Sequence, residues 1–279
     1  MIPLRKALLI GPQCPRADFL EGVQSDLVNM KKFLHSPNGG LWMESEIVIL
    51  YDLSLKAIRE AIRQAVAEYT LVYLSGHGII RKQKWDMLAV KDGELMVMEC
   101  LNGSPKQLII IDACRNFEKE GTAMGSIRWK VEPYSNFTGS QIRYWFDQAI
   151  RNSEPGQLII HATQPNTSAY EDSYRLGGAF SIALLDSIMV FQNSGQEGFI
   201  SIGDVIDNTR RILADRGSKQ IPQMYTKGNF SIPFAYASPE LIHPRQPIFR
   251  PAHQNYEAAN IAAGILALVF IGVSISSKR

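Results

Sequence analysis

Short runs of consecutive aliphatic residues alternate along the chain with longer stretches in which apolar residues recur every three or four positions. Runs of the first kind predict strands buried on both faces, and stretches of the second kind predict amphipathic helices. Because the two kinds alternate, the first 116 residues predict a parallel sheet with helices on both faces. The predicted strands are residues 7–11, 46–51, 70–75 and 108–111.

Each of the two helices between the first three strands has a polar residue at its expected start. Ser25 and Asp26 precede the apolar-periodic stretch 27–34, and we interpret them as its N-terminal cap. Ser54 is interpreted in the same way as the cap of a helix over residues 55–69. This interpretation gives Asp26 a structural role only.

After the third strand the hydrophobic pattern changes. Residues 86–90 and 94–98 flank the tight-turn sequence KDG and predict a hairpin. The polar stretch 117–138 lacks a clean period and predicts a flexible linker. Beyond it we expect a helix at 140–151, a strand at 158–163, helices at 178–191 and 201–214, and a last strand at 229–236.

The C-terminal region is different in character. Residues 239–257 are rich in proline and polar groups and predict a stalk. Residues 258–277 carry no charge, and about 20 residues in a helix extend about 30 Å, which is the thickness of a bilayer core. Because this run is apolar on all faces, it favours a single transmembrane helix over a buried C-terminal helix.

Composition and charge narrow the function classes. The chain has 279 residues, and residues 1–238 are long enough for one large domain. Its formal net charge of +2 gives no electrostatic footprint for binding nucleic acid. Three cysteines, Cys14, Cys100 and Cys114, make no disulfide framework and favour a reducing compartment. The apolar run 7–10 is too short for a signal peptide, so we expect the domain to face the cytoplasm.

Two of the predicted strands end in reactive side chains. The third ends in SGHG and the fourth in DACRN, and ligands of parallel sheets bind at the carboxyl ends of the strands. A thiol becomes a nucleophile when a base lies near it, so His77 and Cys114 are a candidate pair. The amides of Gly78 and Cys114 would then face a developing oxyanion. Taken alone, a His between glycines is an ordinary turn residue and a Cys at a strand end is an ordinary core residue.

In this order and combination, the motifs resemble those of the caspase-like cysteine peptidases, on the metacaspase and paracaspase side of that family. The resemblance covers about residues 5–236 and rests on YLSGHG, IIIDACRN, IIHATQPNTSAYED and GGAFSIALL. It implies an α/β three-layer sandwich with a mostly parallel six-stranded sheet, a Cys114 nucleophile and a His77 base. It also implies a large-subunit-like part (1–116), a linker region (117–155) and a small-subunit-like part (156–238).

The acid before the nucleophile bears on specificity. Caspases that cut after aspartate carry Gln before the Ala-Cys pair, whereas this chain carries Asp112. The resemblance implies that Asp112 lines a pocket for a basic residue, with Asp52 joining it and Glu171 as a weaker third candidate. Two carboxylates at neighbouring strand ends would bind a guanidinium or ammonium group well. The alternative is that Asp112 only caps its strand.

Neither a metal nor a cofactor is indicated. The chain has no P-loop, no dinucleotide fingerprint and no zinc motif, and no DxDxDG loop supports the calcium dependence known in some relatives. The expected partners are a protein or peptide substrate, a lipid bilayer, and an activating protein or ligand, since no sensor domain is evident. A homodimer through the last strand, 229–236, is one alternative, and a last strand whose edge is covered within the monomer is the other.

The leading hypothesis is therefore a membrane-anchored endopeptidase that cuts after Arg or Lys. By family resemblance it would be an effector of regulated cell death or defence. A second hypothesis is a catalytically silent caspase-like scaffold at the membrane, and a third is that the tail itself damages membranes once released. Basic residues in 117–138 also suggest that the enzyme cuts itself there.

Overall fold

The structure is a computed structural model that describes residues 2–15, 17–81, 85–116, 139–172, 177–195, 197–228 and 233–237. Within those ranges the chain forms eleven strands and five α-helices. The strands are β1 (Arg5–Gly11), β2 (Ile47–Tyr51), β3 (Tyr69–Gly76), β4 (Gly78–Arg81), β5 (Trp85–Val90), β6 (Gly93–Met96), β7 (Lys106–Ala113), β8 (Gly156–His161), β9 (Gly198–Ser201), β10 (Gln223–Lys227) and β11 (Pro233–Ala237). The helices are α1 (Glu21–His35), α2 (Leu55–Gln64), α3 (Gly139–Asn152), α4 (Ala179–Asn193) and α5 (Ile202–Asp215).

A six-stranded sheet with the order β10-β8-β7-β3-β1-β2 forms the centre of the fold. Its strands run parallel except β10, which pairs antiparallel with β8. The mostly parallel six-stranded sheet implied by the family resemblance is therefore confirmed, and the strands predicted from the aliphatic runs are its parallel members. The two central strands, β3 and β7, are buried along their whole length, as expected for strands covered on both faces.

Each face of the sheet packs against a different layer, because alternate residues of a strand point to opposite faces. On one face, Leu9 and its neighbours contact α1, α4, α5 and β11. On the other face, Leu8 and Ile10 contact α2 and a small sheet with the order β4-β5-β6. That small sheet contains the predicted hairpin, with the additional strand β4 beside it.

Helix α1 differs from its prediction in a way that matters for the site. It begins at Glu21, so Asp26 lies inside the helix and is buried, and the interpretation of Asp26 as a cap is wrong. The residue at the N-cap position of α1, Leu20, forms no side-chain hydrogen bond that would cap the helix. Instead, Glu171 accepts a hydrogen bond from the Gly22 amide at 3.1 Å. A cap supplied from 149 residues away leaves no local signal in the sequence.

The outer strands also differ from expectation. The last strand, β11, pairs with β9 in a separate two-stranded sheet, and the edge strands of the main sheet are β10 and β2. Residues 233–236 therefore do not form an edge of the main sheet, contrary to the prediction, and residues 229–232 lie outside the described residues. Strand β10 has the sequence QMYTK, and four of its five residues are exposed. It has no aliphatic run, so its sequence resembles a loop.

Several predictions lie outside the described residues. They are the linker 117–138, the stalk 239–257 and the transmembrane helix 258–277, together with the domain boundary at 238. The rest of the linker region, 139–155, contains α3. Among the residues that are described, no helix is long and apolar enough to cross a bilayer.

Candidate active site

His77 and Cys114 directly follow two neighbouring strands. His77 comes after β3 and Cys114 after β7, and the last paired residues of these strands are Gly76 and Ala113. The two side chains therefore occupy equivalent positions one step beyond the paired register, at the carboxyl edge of the sheet. Both residues are partly buried.

A backbone carbonyl orients the His77 ring. His77 Nε2 lies 2.6 Å from the carbonyl oxygen of Asp18, in the loop between β1 and α1. A carbonyl oxygen only accepts hydrogen bonds, so Nε2 carries the proton and Nδ1 of the neutral ring has a free lone pair. Nδ1 is therefore the ring atom that could act as a base. Sequence reasoning missed Asp18, because a main-chain carbonyl can belong to any residue type.

The Cys114 thiol hydrogen-bonds to the backbone of Ala169. The Ala169 amide donates to Sγ at 3.3 Å, and the Ala169 carbonyl accepts from Sγ at 3.5 Å. Burial raises the pKa of Cys114 and the nearby Asp112 charge adds to that shift, whereas the Ala169 amide lowers the pKa. The resting group is therefore a thiol, and a base must remove its proton before it can attack.

Gly78 lies tightly against the nucleophile. A Cβ at this position would clash with the Cys114 carbonyl oxygen and with the Ala113 side chain, so only glycine fits. The close contact brings the Gly78 backbone beside that of Cys114, the two residues whose amides are the predicted oxyanion donors. Their role in catalysis stays a prediction.

The carboxyl groups of Asp26, Asp112 and Glu171 lie close enough to raise one another's pKa values, and Asp112 also acts on the Cys114 thiol. We call these three acids the acidic pocket. Asp112 accepts hydrogen bonds from the Ser181 hydroxyl at 2.6 Å and the Ser181 amide at 3.1 Å. Asp26 accepts from the Ser75 hydroxyl at 2.7 Å and from the Gly178 amide at 3.0 Å. Only 5% of Asp112 and 3% of Asp26 is exposed, whereas Glu171 is partly exposed.

Burial and mutual repulsion dominate the electrostatics of the acidic pocket. Burial raises the pKa of Asp112 to about 6, against the hydrogen bonds from Ser181. Burial, and then the Asp112 charge, raise the pKa of Asp26 well above its usual value. Burial also raises the pKa of Glu171. No Lys or Arg within the described ranges forms an ion pair with these acids. A buried set of like charges of this kind suits a cationic ligand.

Asp52 does not join the acidic pocket. It follows β2, at the edge of the sheet, and both β1 and β3 lie between β2 and β7. The expectation that Asp52 and Asp112 end neighbouring strands is therefore wrong. Asp52 instead forms an ion pair with Lys91 in the β5–β6 turn, with 3.3 Å between Oδ2 and Nζ. The sequence shows that both strands end in an acid, but it does not show their order in the sheet.

Asp26 is the pocket residue that sequence reasoning missed. A signal was present, because Asp26 lies three residues after Val23 and four before Met30, on the buried stripe of α1. A charged residue on the apolar face of a helix is rare unless it serves a site. Among the described residues, no group of three or more His, Cys, Asp or Glu is arranged to hold a metal ion.

A sequence profile of the caspase domain matches residues 4–231, which is most of the chain. This chain belongs to the caspase-domain family. Proteins of this family are generally cysteine peptidases that act on protein substrates.

Comparison of folds agrees with the family assignment. Caspase-1 from Spodoptera frugiperda superposes with a TM-score of 0.55 at 17% identity, covering 86% of this chain and 93% of the other. A protein of Geobacter sulfurreducens superposes with a TM-score of 0.51 at 18% identity, covering 85% and 98%. At such identity the likeness is one of fold alone. No curated protein matches the sequence significantly.

Proposed function

We propose that this caspase-domain protein is a cysteine endopeptidase that cleaves proteins after Arg or Lys. The observation that carries the proposal is the acidic pocket next to Cys114, in which Asp26 and Asp112 are buried together. Burying like charges without a cation is unfavourable, and a positively charged substrate side chain would relieve it. In this pocket Asp26 takes the role beside Asp112 that the family resemblance implied for Asp52.

In the proposed reaction, His77 Nδ1 accepts the proton of the Cys114 thiol as the sulfur attacks the carbonyl carbon of the substrate. The amides of Gly78 and Cys114 donate hydrogen bonds to the oxyanion that forms. The ring then returns the proton to the leaving amine, and the C–N bond breaks to give a thioester. Water, deprotonated by the same ring, hydrolyses the thioester and regenerates the thiol. The Asp18 carbonyl holds the ring in the required tautomer throughout.

Substrate binding would rearrange the hydrogen bonds of the pocket. Both aspartates are buried and accept bonds from the backbone of Gly178 and Ser181. A guanidinium or ammonium group would enter past the partly exposed Glu171 and take over some of these acceptor positions. Charge-assisted hydrogen bonds are stronger than those from neutral amides, which favours the exchange.

The proposal extends to the setting of the enzyme. The uncharged segment 258–277 would anchor it as a single transmembrane helix with the peptidase domain in the cytoplasm. An activating partner, ligand or clustering event would switch it on, in a role in regulated cell death or defence. A homodimer would form along β10, one of the two edge strands of the main sheet, which exposes Met224 and Tyr225.

Peptide cleavage tests the function. The full chain and its Cys114→Ala variant would be given matched peptides with Arg, Lys or Asp before the scissile bond. We expect cleavage after Arg and Lys that the variant lacks. Cleavage after Asp would keep the dyad and refute the role of the acidic pocket.

A catalytically silent scaffold is the second candidate, and two observations favour it. The Cys114 thiol is held by a hydrogen bond to the Ala169 backbone carbonyl, and both aspartates of the acidic pocket are buried. If no peptide is cleaved, labelling with a thiol-directed electrophile separates the candidates. Rapid labelling of Cys114 would indicate an enzyme that awaits an activator, and labelling no faster than that of a free thiol would indicate the scaffold.

A further inference from the structure

Strand β5 contacts the turns that carry both His77 and Cys114. Near one end of the strand, the Ala89 amide donates to the His77 carbonyl at 2.8 Å. Near the other end, Asp86 accepts two hydrogen bonds from Arg115, from Nε at 2.8 Å and from Nη2 at 3.0 Å. Because a strand is a rigid element, contacts from one strand to both turns fix their separation.

Arg115 connects Asp86 to the nucleophile. It directly follows Cys114, and only 7% of it is exposed. Its amide donates to the Thr167 carbonyl at 3.0 Å, and its carbonyl accepts from the Asn166 amide at 2.7 Å. The same loop continues to Ala169, whose backbone bonds the Cys114 thiol. A shift of the Arg115 side chain would therefore move both the nucleophile and the loop that it contacts.

Asp86 supplies the negative charge that Arg115 faces. The other groups around the guanidinium are the Tyr225 hydroxyl, 3.4 Å from Nη1, and His161. His161 Nε2 lies 3.8 Å from Asp86 Oδ2, and burial, followed by the Arg115 charge, lowers the pKa of His161 to about 4. His161 is therefore neutral at pH 7, and within the described residues the ion pair of Arg115 is with Asp86.

Resting on the peptidase function proposed above, we propose that Asp86 is a positioning residue. It holds Arg115, and with it the Cys114 backbone, at the distance from His77 that proton transfer requires. Asp86 does not touch the substrate. Its loss should therefore slow the chemical step and leave substrate binding little changed.

The test compares three variants of the full chain. Asp86→Asn keeps the shape and removes the charge. Glu94→Gln is the matched control, because Glu94 also forms a double hydrogen bond with an arginine, Arg81, on the same small sheet. The double variant Asp86→Asn/Arg115→Gln removes both charges, so that no buried cation is left uncompensated.

Asp86→Asn should lower kcat for an Arg peptide by about 10- to 100-fold and change KM by less than about threefold. Glu94→Gln should behave like the wild type. The double variant should recover thermal stability while kcat stays low. The rate of Cys114 alkylation by iodoacetamide, measured against pH, should shift to higher pH in both Asp86 variants.

Two results would overturn the inference. One is an Asp86→Asn variant with wild-type kcat and alkylation profile, whatever its stability. The other is a double variant that regains wild-type kcat along with stability, because the single variant would then have failed through folding alone. If the wild type itself cleaves nothing, the rate of Cys114 labelling decides the peptidase proposal as described above, and the alkylation profiles of the variants still decide the role of Asp86.

Discussion

Charged side chains are buried in two clusters, one where the strands of the main sheet begin and one at their carboxyl ends. The two clusters differ in composition. At the carboxyl edge, the acidic pocket gathers three acids with no Lys or Arg paired to them in the described chain. At the other edge, four residues form what we call the balanced cluster: Arg5, Glu46, Arg143 and Asp147. The same fold therefore contains one buried cluster of paired charges and one of carboxyl groups that have no cationic partner among the described residues.

The balanced cluster is paired throughout. Arg5, fully buried at the start of β1, lies 3.0 Å from Asp147 and 3.7 Å from Glu46, and it donates to the Gly40 carbonyl. Arg143 on α3 forms a double hydrogen bond with Glu46, at 2.6 and 2.9 Å. Although burial alone would raise the pKa of Glu46, the bond from Arg143 holds it below its usual value.

The difference agrees with a structural role for the balanced cluster and with the substrate-binding role proposed above for the acidic pocket. In the balanced cluster every charge has a partner of opposite sign, so its residues contribute to the fold as they stand. In the acidic pocket burial raises each carboxyl pKa, which opposes the stabilising hydrogen bonds that these acids accept from the starts of α1 and α4. Residues that destabilise the fold at neutral pH are expected at functional sites.

The largest effect should come from breaking the balanced cluster. Arg5→Met keeps the volume but leaves Glu46 and Asp147 without the guanidinium, so the free energy of unfolding should fall by about 3–5 kcal/mol. Denaturant titration at pH 7 measures it. The control Lys31→Met removes an ion pair with the exposed Glu44 and should cost less than about 1 kcal/mol. Equal losses in the two variants would contradict the account.

In the acidic pocket, Asp112→Asn should change the free energy of unfolding by a smaller amount and in the opposite direction. Burial raises the pKa of Asp112 from its usual value to about 6, so the protonated form favours the folded state. Wild-type stability should therefore decrease as pH rises through about 6, and Asp112→Asn should be free of that loss. At pH 8 the variant should be more stable by on the order of 1–2 kcal/mol, with no advantage at pH 4.

Thermal unfolding of both proteins between pH 4 and pH 8 measures this difference. The gain in stability should be accompanied by lost cleavage after Arg. A variant that is less stable than the wild type at pH 8 would show that the Ser181 hydrogen bonds outweigh the burial of charge.

The smallest effect is expected at Asp52, which belongs to neither cluster. Its ion pair with Lys91 is exposed, so Asp52→Asn should cost less than about 1 kcal/mol. It should also leave kcat/KM for Arg peptides within about twofold, since β1 and β3 separate it from the acidic pocket. Measuring the rates beside those of Asp112→Asn decides the point. A tenfold loss at Asp52 would place it in the substrate path after all.

Much of the fold was predictable because its signals are local. The aliphatic runs of β1, β3 and β7 require burial on both faces, and the Ser54 cap at the start of α2 was predicted at the correct residue. His77 and Cys114 were predicted to meet because neighbouring parallel strands end at one edge.

The missed features depend on contacts between distant parts of the chain. The cap of α1 comes from Glu171, and the His77 partner is a main-chain carbonyl. Asp52 follows β2 and Asp112 is the next-to-last residue of β7, so both acids lie at the carboxyl ends of strands, and the order of the strands separates them. Such information is set by the topology, which the hydrophobic pattern does not specify.

The central claim is that the acidic pocket binds a basic substrate side chain. It is tested most directly by kcat/KM for paired peptides that carry Arg or its neutral isostere citrulline, cut by the wild type and by Asp26→Asn. We predict that the wild type prefers Arg by roughly 100-fold or more and that Asp26→Asn loses at least about tenfold of that preference. Cleavage of the citrulline peptide should change little. An undiminished Arg preference in Asp26→Asn would contradict the account.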